Sequence, residues 1–156
     1  MNIEGLAATP AGELLIGFRN PVRDKKSLIV PLNNPRDVVA GKPVKFGEPV
    51  RLSLEGRGIR SLDYVAAQQG YLIIAGSHAE SGEFRLYRWS GSTTEDPTYV
   101  SQVSFAGLQP EAIVSYADEP DRVQVLSDDG TRPIDGDDCK AADASQRRFR
   151  SVWVKP

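Results

Sequence analysis

The stretch Gly58-Ile59-Arg60-Ser61-Leu62-Asp63-Tyr64-Val65-Ala66-Ala67-Gln68-Gln69-Gly70-Tyr71-Leu72-Ile73-Ile74-Ala75 reads as strand, turn, strand. Its first run, 58–66, starts beside a charged residue. A glycine closes the turn at 67–70, and an apolar run at 71–75 returns. The same unit recurs on both sides. Upstream, 2–8, the turn Thr9-Pro10-Ala11-Gly12 and 13–18 repeat the order. Downstream, 110–117, Asp118-Glu119-Pro120-Asp121 and 122–126 repeat it again. A third strand follows each hairpin, at 27–32, 84–89 and 148–154. A fourth closes the first two units, near 50–54 and 99–105, and the third unit has none. Period-2 alternation dominates, and helical periodicity is absent.

Equivalent charged residues start the three innermost strands. Arg60 lies 56 positions after Glu4, and Glu111 lies 51 after Arg60. Four-stranded propeller blades run ~40–50 residues. The spacing therefore predicts an all-β chain of three four-stranded antiparallel propeller-like blades, at about 2–55, 56–107 and 108–156. The third blade lacks its outer strand. The alternative is one β-sandwich of eleven short strands. Propellers close with ~4–8 blades, so three blades make half of a six-bladed ring. A missing half would complete it, or self-association would, as a homodimer with two identical seams.

Length and composition set limits. The chain's 156 residues fit one domain, and 40% hydrophobic content suffices for a core. A net charge of −2 provides no field to recruit nucleic acid or an anionic membrane. No apolar run reaches the ~18 residues of a membrane span, so a soluble protein is expected. Cys139 is the only cysteine and His78 the only histidine, which excludes an intrachain disulfide and any multi-histidine metal site. Met1 leads straight into Asn2-Ile3-Glu4-Gly5-Leu6 without a signal-type segment. That favours the cytoplasm, although so abrupt a start suits a truncated gene product equally.

The runs Asn2-Ile3-Glu4-Gly5-Leu6-Ala7, Leu15-Ile16-Gly17-Phe18-Arg19-Asn20-Pro21 and Gly56-Arg57-Gly58-Ile59-Arg60 carry a resemblance. Together they resemble the bacterial family known as domain of unknown function 3616, whose members are expected β-propellers. The likeness covers most of the chain, including Asp138-Cys139-Lys140. It implies that family members are about twice as long and that this chain is similar to a C-terminal half. It implies no established activity. Glu4-Gly5-Leu6 also looks like the Glu-Gly element of esterase-like phytases and calcium-dependent lactonase propellers, where an inner-strand glutamate holds a metal.

In a propeller, loops from second to third strand and from last strand to next blade open on one face. Here that face receives Phe18-Arg19-Asn20-Pro21, Gly76-Ser77-His78-Ala79-Glu80 and Ser127-Asp128-Asp129-Gly130. It also receives Glu55-Gly56-Arg57-Gly58-Ile59-Arg60 and Gln109-Pro110-Glu111, whereas the opposite face receives turn formers. Glu4, Arg60 and Glu111 should line the channel mouth. Unpaired buried charge costs several kcal/mol, so one expectation is a structural ion-pair ring. The other is a ligand-binding pocket of Glu4, Arg19, Asn20, Arg57, Arg60, His78 and Glu111. There Glu4 and Glu111 could offer oxygen ligands to calcium, and Arg19, Arg57 and Arg60 could clamp an anion. The Arg60 guanidinium argues against a tight divalent site. His78 could serve as base or ligand, or as an ordinary surface residue.

The motifs of enzymes are missing. No Gly-x-Ser-x-Gly elbow occurs, and Gly56-Arg57-Gly58 lacks the later glycine and helix of a phosphate loop. The aspartates of 127–146 lack EF-hand order and suit a solvated excursion. Arg147, Arg148 and Arg150 should pair with the acidic loop. The functional expectation is a binding module that uses its charged face. The alternative is a metal-dependent hydrolase of phosphate esters or lactones, with Glu4 and Glu111 as ligands and His78 or Arg60 assisting.

Overall fold

The structure, a computed structural model, describes residues 1–77 and 82–156. Its strands are β1 (Asn2–Ala8), β2 (Leu14–Asn20), β3 (Lys26–Leu32), β4 (Val50–Ser53), β5 (Gly58–Val65), β6 (Gly70–Gly76) and β7 (Arg85–Trp89). They continue as β8 (Thr98–Tyr99), β9 (Pro110–Ser115), β10 (Val123–Ser127), β11 (Pro133–Ile134), β12 (Asp137–Asp138) and β13 (Ser151–Val154). Among the described residues, β1-β2-β3-β4 form a first antiparallel sheet and β5-β6-β7-β8 a second. A third sheet has the order β13-β10-β9. The chain is all-β, and the first two sheets each run four strands in chain order where the third has three.

The sheets stack in chain order, with the second in the middle. One apolar cluster joins the first two sheets. Ala7, Leu15, Ile29 and Leu52 meet Ile59, Leu62, Ile73 and Tyr87 there. A second cluster joins the second and third sheets through Leu72, Ile74, Leu86, Ile113, Val123 and Val125. Every residue of β6 is buried, because its two faces feed the two clusters. Each full burial of a Leu or Ile contributes about 1.5–3 kcal/mol, so these two seams hold the molecule together.

The seams close by different means. In the first, Ile59 packs so tightly on Gly5 and Gly17 that a Cβ at either glycine would lie 2.9 Å from its Cγ2. In the second, side chains of β5 reach the β9 backbone. Ser61 Oγ accepts from Ile113 N at 3.0 Å, and Asp63 Oδ2 accepts from Ser115 N at 3.2 Å and from Ser115 Oγ at 2.7 Å. These bonds replace apolar contact where β5 turns polar.

Three local readings need correction. The alternation at 99–105 yields only the two-residue β8, and Val100, Val103 and Phe105 enter the second cluster from turns instead. Apolar alternation there reports burial, not strand pairing. A five-residue helix, α1 (Pro35–Val39), stands in the β3–β4 connection with Pro35 at its first turn, where the missing N–H costs nothing. The 127–146 excursion is mostly exposed but not featureless. It carries the short β11–β12 hairpin and buries Asp129, Cys139 and Ala142.

Candidate functional site

The register of the three inner hairpins decides where the charges go. In β1–β2, Ile3 faces Phe18 and Gly5 faces Gly17, so the pairing skips Glu4. One step earlier Asn2 faces Asn20, so it also skips Arg19. In β5–β6, Ile59 faces Ala75 and Ser61 faces Ile74, which skips Arg60. In β9–β10, Ala112 faces Leu126 and Pro110 faces Ser127, which skips Glu111. An extra residue on one strand bends it and re-aims the bulged side chain. All three inner strands thus carry an irregularity at the equivalent charged position, and β2 adds a fourth at Arg19.

The four re-aimed side chains meet. Arg60 Nη1 lies 3.3 Å from Glu4 Oε2, and Arg60 Nη2 donates to Glu111 Oε1. Arg19 Nη1 donates to Glu4 Oε1 at 3.2 Å. The Arg60 side chain is 8% exposed and that of Glu111 29%. Arg60 therefore sits at the bottom of the cluster with carboxylates towards solvent. The Phe84 ring covers its guanidinium, with the centroid 5.4 Å from Cζ. Phe84 fits because Gly76 has no Cβ, which would fall 2.6 Å from the ring. Burial pushes the Glu111 carboxyl above its ordinary value and outweighs the neighbouring Arg60. Arg60 Nε is buried and makes no hydrogen bond among the described residues.

Backbone packing fixes Arg19 from outside the hairpin. An added Cβ at Gly58 would lie 1.9 Å from the Arg19 carbonyl oxygen. Only glycine permits this approach, so the Gly-Phe-Arg-Asn-Pro and Gly-Arg-Gly-Ile-Arg runs meet in space. Asn20 uses its Oδ1 to accept from Asn2 N at 3.1 Å, and this ties the hairpin end.

Arg57 is not brought to this cluster. It joins Glu55, Glu83 and Arg85 in a second cluster of two glutamates and two arginines. Arg57 Nη1 donates to Glu55 at 3.1 Å, and Nη2 donates to Glu83 at 3.0 Å. Arg85 donates to both carboxylates and lies 4.8 Å from the Tyr99 centroid. The sequence reading placed Glu55 on the charged face without making it a site residue, and it missed Glu83 and Arg85. Their signal is the matched pair Glu55-Gly56-Arg57 and Glu83-Phe84-Arg85.

Asp129 was also missed as an individual. It receives Arg150 Nη2 at 2.6 Å, Arg150 Nε at 2.8 Å, the Arg150 N–H at 2.9 Å and Ser127 Oγ at 3.0 Å. These donors, Arg150 first, hold its carboxyl down at about 2. Cys139 is buried and its thiol donates to Arg148 O at 3.2 Å. His78 lies outside the described residues. Among the described residues, no group of three or more His, Cys, Asp or Glu gathers as metal ligands.

Comparison with known proteins agrees with the sequence resemblance over most of the chain. No curated protein and no solved structure gives a significant match. Residues 1–131 match the family model described as "Protein of unknown function (DUF3616)". The match contains all four residues of the buried cluster and ends before Asp138-Cys139-Lys140, which the resemblance had included. The chain thus belongs to the DUF3616 family.

Proposed function

We propose that the three sheets are blades of a β-propeller and that the chain is a binding module whose site is the charged mouth formed by Glu4, Arg19, Arg60 and Glu111. The observation that carries this reading is the set of register irregularities. A bulge at the equivalent position of every inner strand converges charged side chains on one place, at a cost in ladder hydrogen bonds. The ligand chemistry that suits the mouth is a small anion, carboxylate or phosphate, competing with Glu111 for Arg60.

A thermal-shift titration with inorganic phosphate and citrate tests the reading. Both anions should raise the melting temperature at millimolar concentration. Glu111→Gln should enlarge the rise, because it removes the competing carboxylate and keeps a hydrogen-bond acceptor. No response in either protein would overturn the proposal.

The hydrolase reading assigns Glu4 and Glu111 to calcium. Arg60 bridges both carboxylates, so the metal would have to displace a guanidinium already in place. A calcium-dependent rise in melting temperature, lost in Glu4→Gln, would favour that reading over anion binding.

A further inference from the structure

We infer, on the footing of the binding mouth proposed above, that the site takes its oxyanion together with a proton. The ligand replaces Glu111 on Arg60, and Glu111 becomes a neutral carboxyl that donates to it.

The described neighbours already occupy the approaches to Arg60. Its Nη2 donates to Glu111 Oε1, its Nη1 lies 3.3 Å from Glu4 Oε2, and the Phe84 ring covers the guanidinium at 5.4 Å. With its side chain 8% exposed, Arg60 can meet an incoming anion only where a carboxylate gives way. Glu4 is the firmer of the two. Arg19 Nη1 donates to its Oε1 at 3.2 Å, so two arginines hold it, and its Oε2 is buried. Glu111 receives its hydrogen bond from Arg60 alone among the described residues, and its side chain is the more exposed, 29% against 23%. Glu111 is therefore the carboxylate that yields.

How it yields follows from charge. The charged groups that act on Glu111 are Arg60 from β5, Glu4 from β1 and Arg19 from β2. Asp129, beyond the end of β10, is committed to Arg150. Two arginines and two carboxylates cancel. An anion added beside an ionised Glu111 would bring three negative groups onto two guanidinium ions. Like charges that share a site favour the neutral form of one of them. Burial works in the same direction, since it pushes the Glu111 carboxyl above its ordinary value despite Arg60. Other arginine-bound carboxylates behave oppositely. Glu83, Glu119 and Asp129 are each held down, first by an arginine hydrogen bond.

The proton also supplies what the ligand needs. An ionised carboxylate offers only acceptors, as the anion does, whereas a neutral one has an O–H to donate. Arg60 Nη2 and Glu111 then present two neighbouring donors. These suit an oxyanion with two acceptor oxygens, such as a carboxylate, phosphate or sulfonate. One proton passes from solvent to a Glu111 oxygen, the anion's charge replaces the carboxylate's, and no other covalent bond forms or breaks.

Titration calorimetry with methanesulfonate tests this, because that anion does not titrate in the working range of about pH 5 to about pH 8. Wild type should bind more tightly as pH falls, by up to about tenfold per pH unit. At about pH 6, runs in two buffers of different ionisation enthalpy should show uptake of up to about one proton per anion bound. Glu111→Gln resembles the neutral carboxyl, so it should keep the tight acid-range affinity throughout and take up no proton. Wild-type binding without uptake would overturn the inference and leave the mouth standing as a binding site, as would equal uptake by Glu111→Gln. A flat wild-type pH profile would overturn it even if Glu111→Gln folded poorly. Failure of methanesulfonate to bind at any pH would overturn it too, and the thermal response to phosphate and citrate would then judge the mouth separately.

Discussion

Two clusters in this molecule have the same composition, two glutamates and two arginines, and different surroundings. In the Glu4–Arg19–Arg60–Glu111 cluster the side chains are 8–29% exposed. In the Glu55–Arg57–Glu83–Arg85 cluster the carboxylates reach 49% and 58%. The first is held by bulged strands and by backbone packed on Gly58, and the second by loop and strand-end residues. Ion pairs gain Coulomb energy in both, and Arg57 and Arg85 are buried much as Arg19 is, but only in the first cluster have the carboxylates also surrendered most of their hydration. Its members therefore depend on one another, whereas those of the exposed cluster are nearly independent.

The largest expected effect tests that dependence. Arg60→Met leaves Glu4 and Glu111 without their shared guanidinium and should cost about 3–5 kcal/mol, read by thermal or urea unfolding. Adding Glu4→Gln and Glu111→Gln should recover at least half of the loss. A triple variant no more stable than Arg60→Met would break the comparison, because the three groups would then not be coupled. Next comes Gly58→Ala, which forces a methyl against the Arg19 carbonyl. It should cost about 3 kcal/mol or lower the melting temperature by about 10 °C. Gly107→Ala serves as its control, since no heavy atom lies within 4 Å of an added Cβ there, although its φ of +74° is strained.

Asp129 sharpens the comparison from an intermediate position, with a buried carboxylate and a partly exposed Arg150. Its pKa is depressed in the folded state. Its contribution is therefore present above the ordinary carboxylate value of 3.8 and is lost as pH falls towards about 2. After allowance for the solvent around Arg150, on the order of 1–2 kcal/mol should disappear over that window. Asp129→Asn should flatten this part of the stability profile, and an unchanged acid limb would remove Asp129 from the account. The smallest effect belongs to Arg57→Met in the exposed cluster, at about 1 kcal/mol or less. A loss comparable with Arg60→Met would erase the distinction between the clusters.

Much of the sheet order was legible because a strand-turn-strand pattern can be read three times over. Three strand-turn-strand units with charged residues at matching offsets identify β1, β5 and β9 as equivalents, and with them the meeting of Glu4, Arg60 and Glu111. The bulges were not legible. Nothing in Ile59-Arg60-Ser61 distinguishes a paired arginine from a skipped one, because register is settled by what the neighbouring strand and sheet accept. The partition of the arginines was hidden for a related reason. Arg57 and Arg60 are three residues apart, yet Gly58 lies between them against another hairpin's backbone, and the chain turns there into β5. A reading by loop assignment groups both with the mouth, and the geometry sends Arg57 to Glu55 and Glu83.

The contact at Gly58 bears on how far the three sheets are modular. Sheets with the same strand order suggest units that could be duplicated, exchanged or excised. Here the first hairpin lends its backbone to the start of the second sheet, and the second sheet lends Ser61 and Asp63 to the backbone of the third. Each unit is thus finished by its neighbour. A graft of one hairpin into another position would need to carry the glycine or the hydroxyl and carboxylate of the adjoining unit with it. The three sheets share a strand order but are joined by different contacts, and those joints set which neighbour each can have.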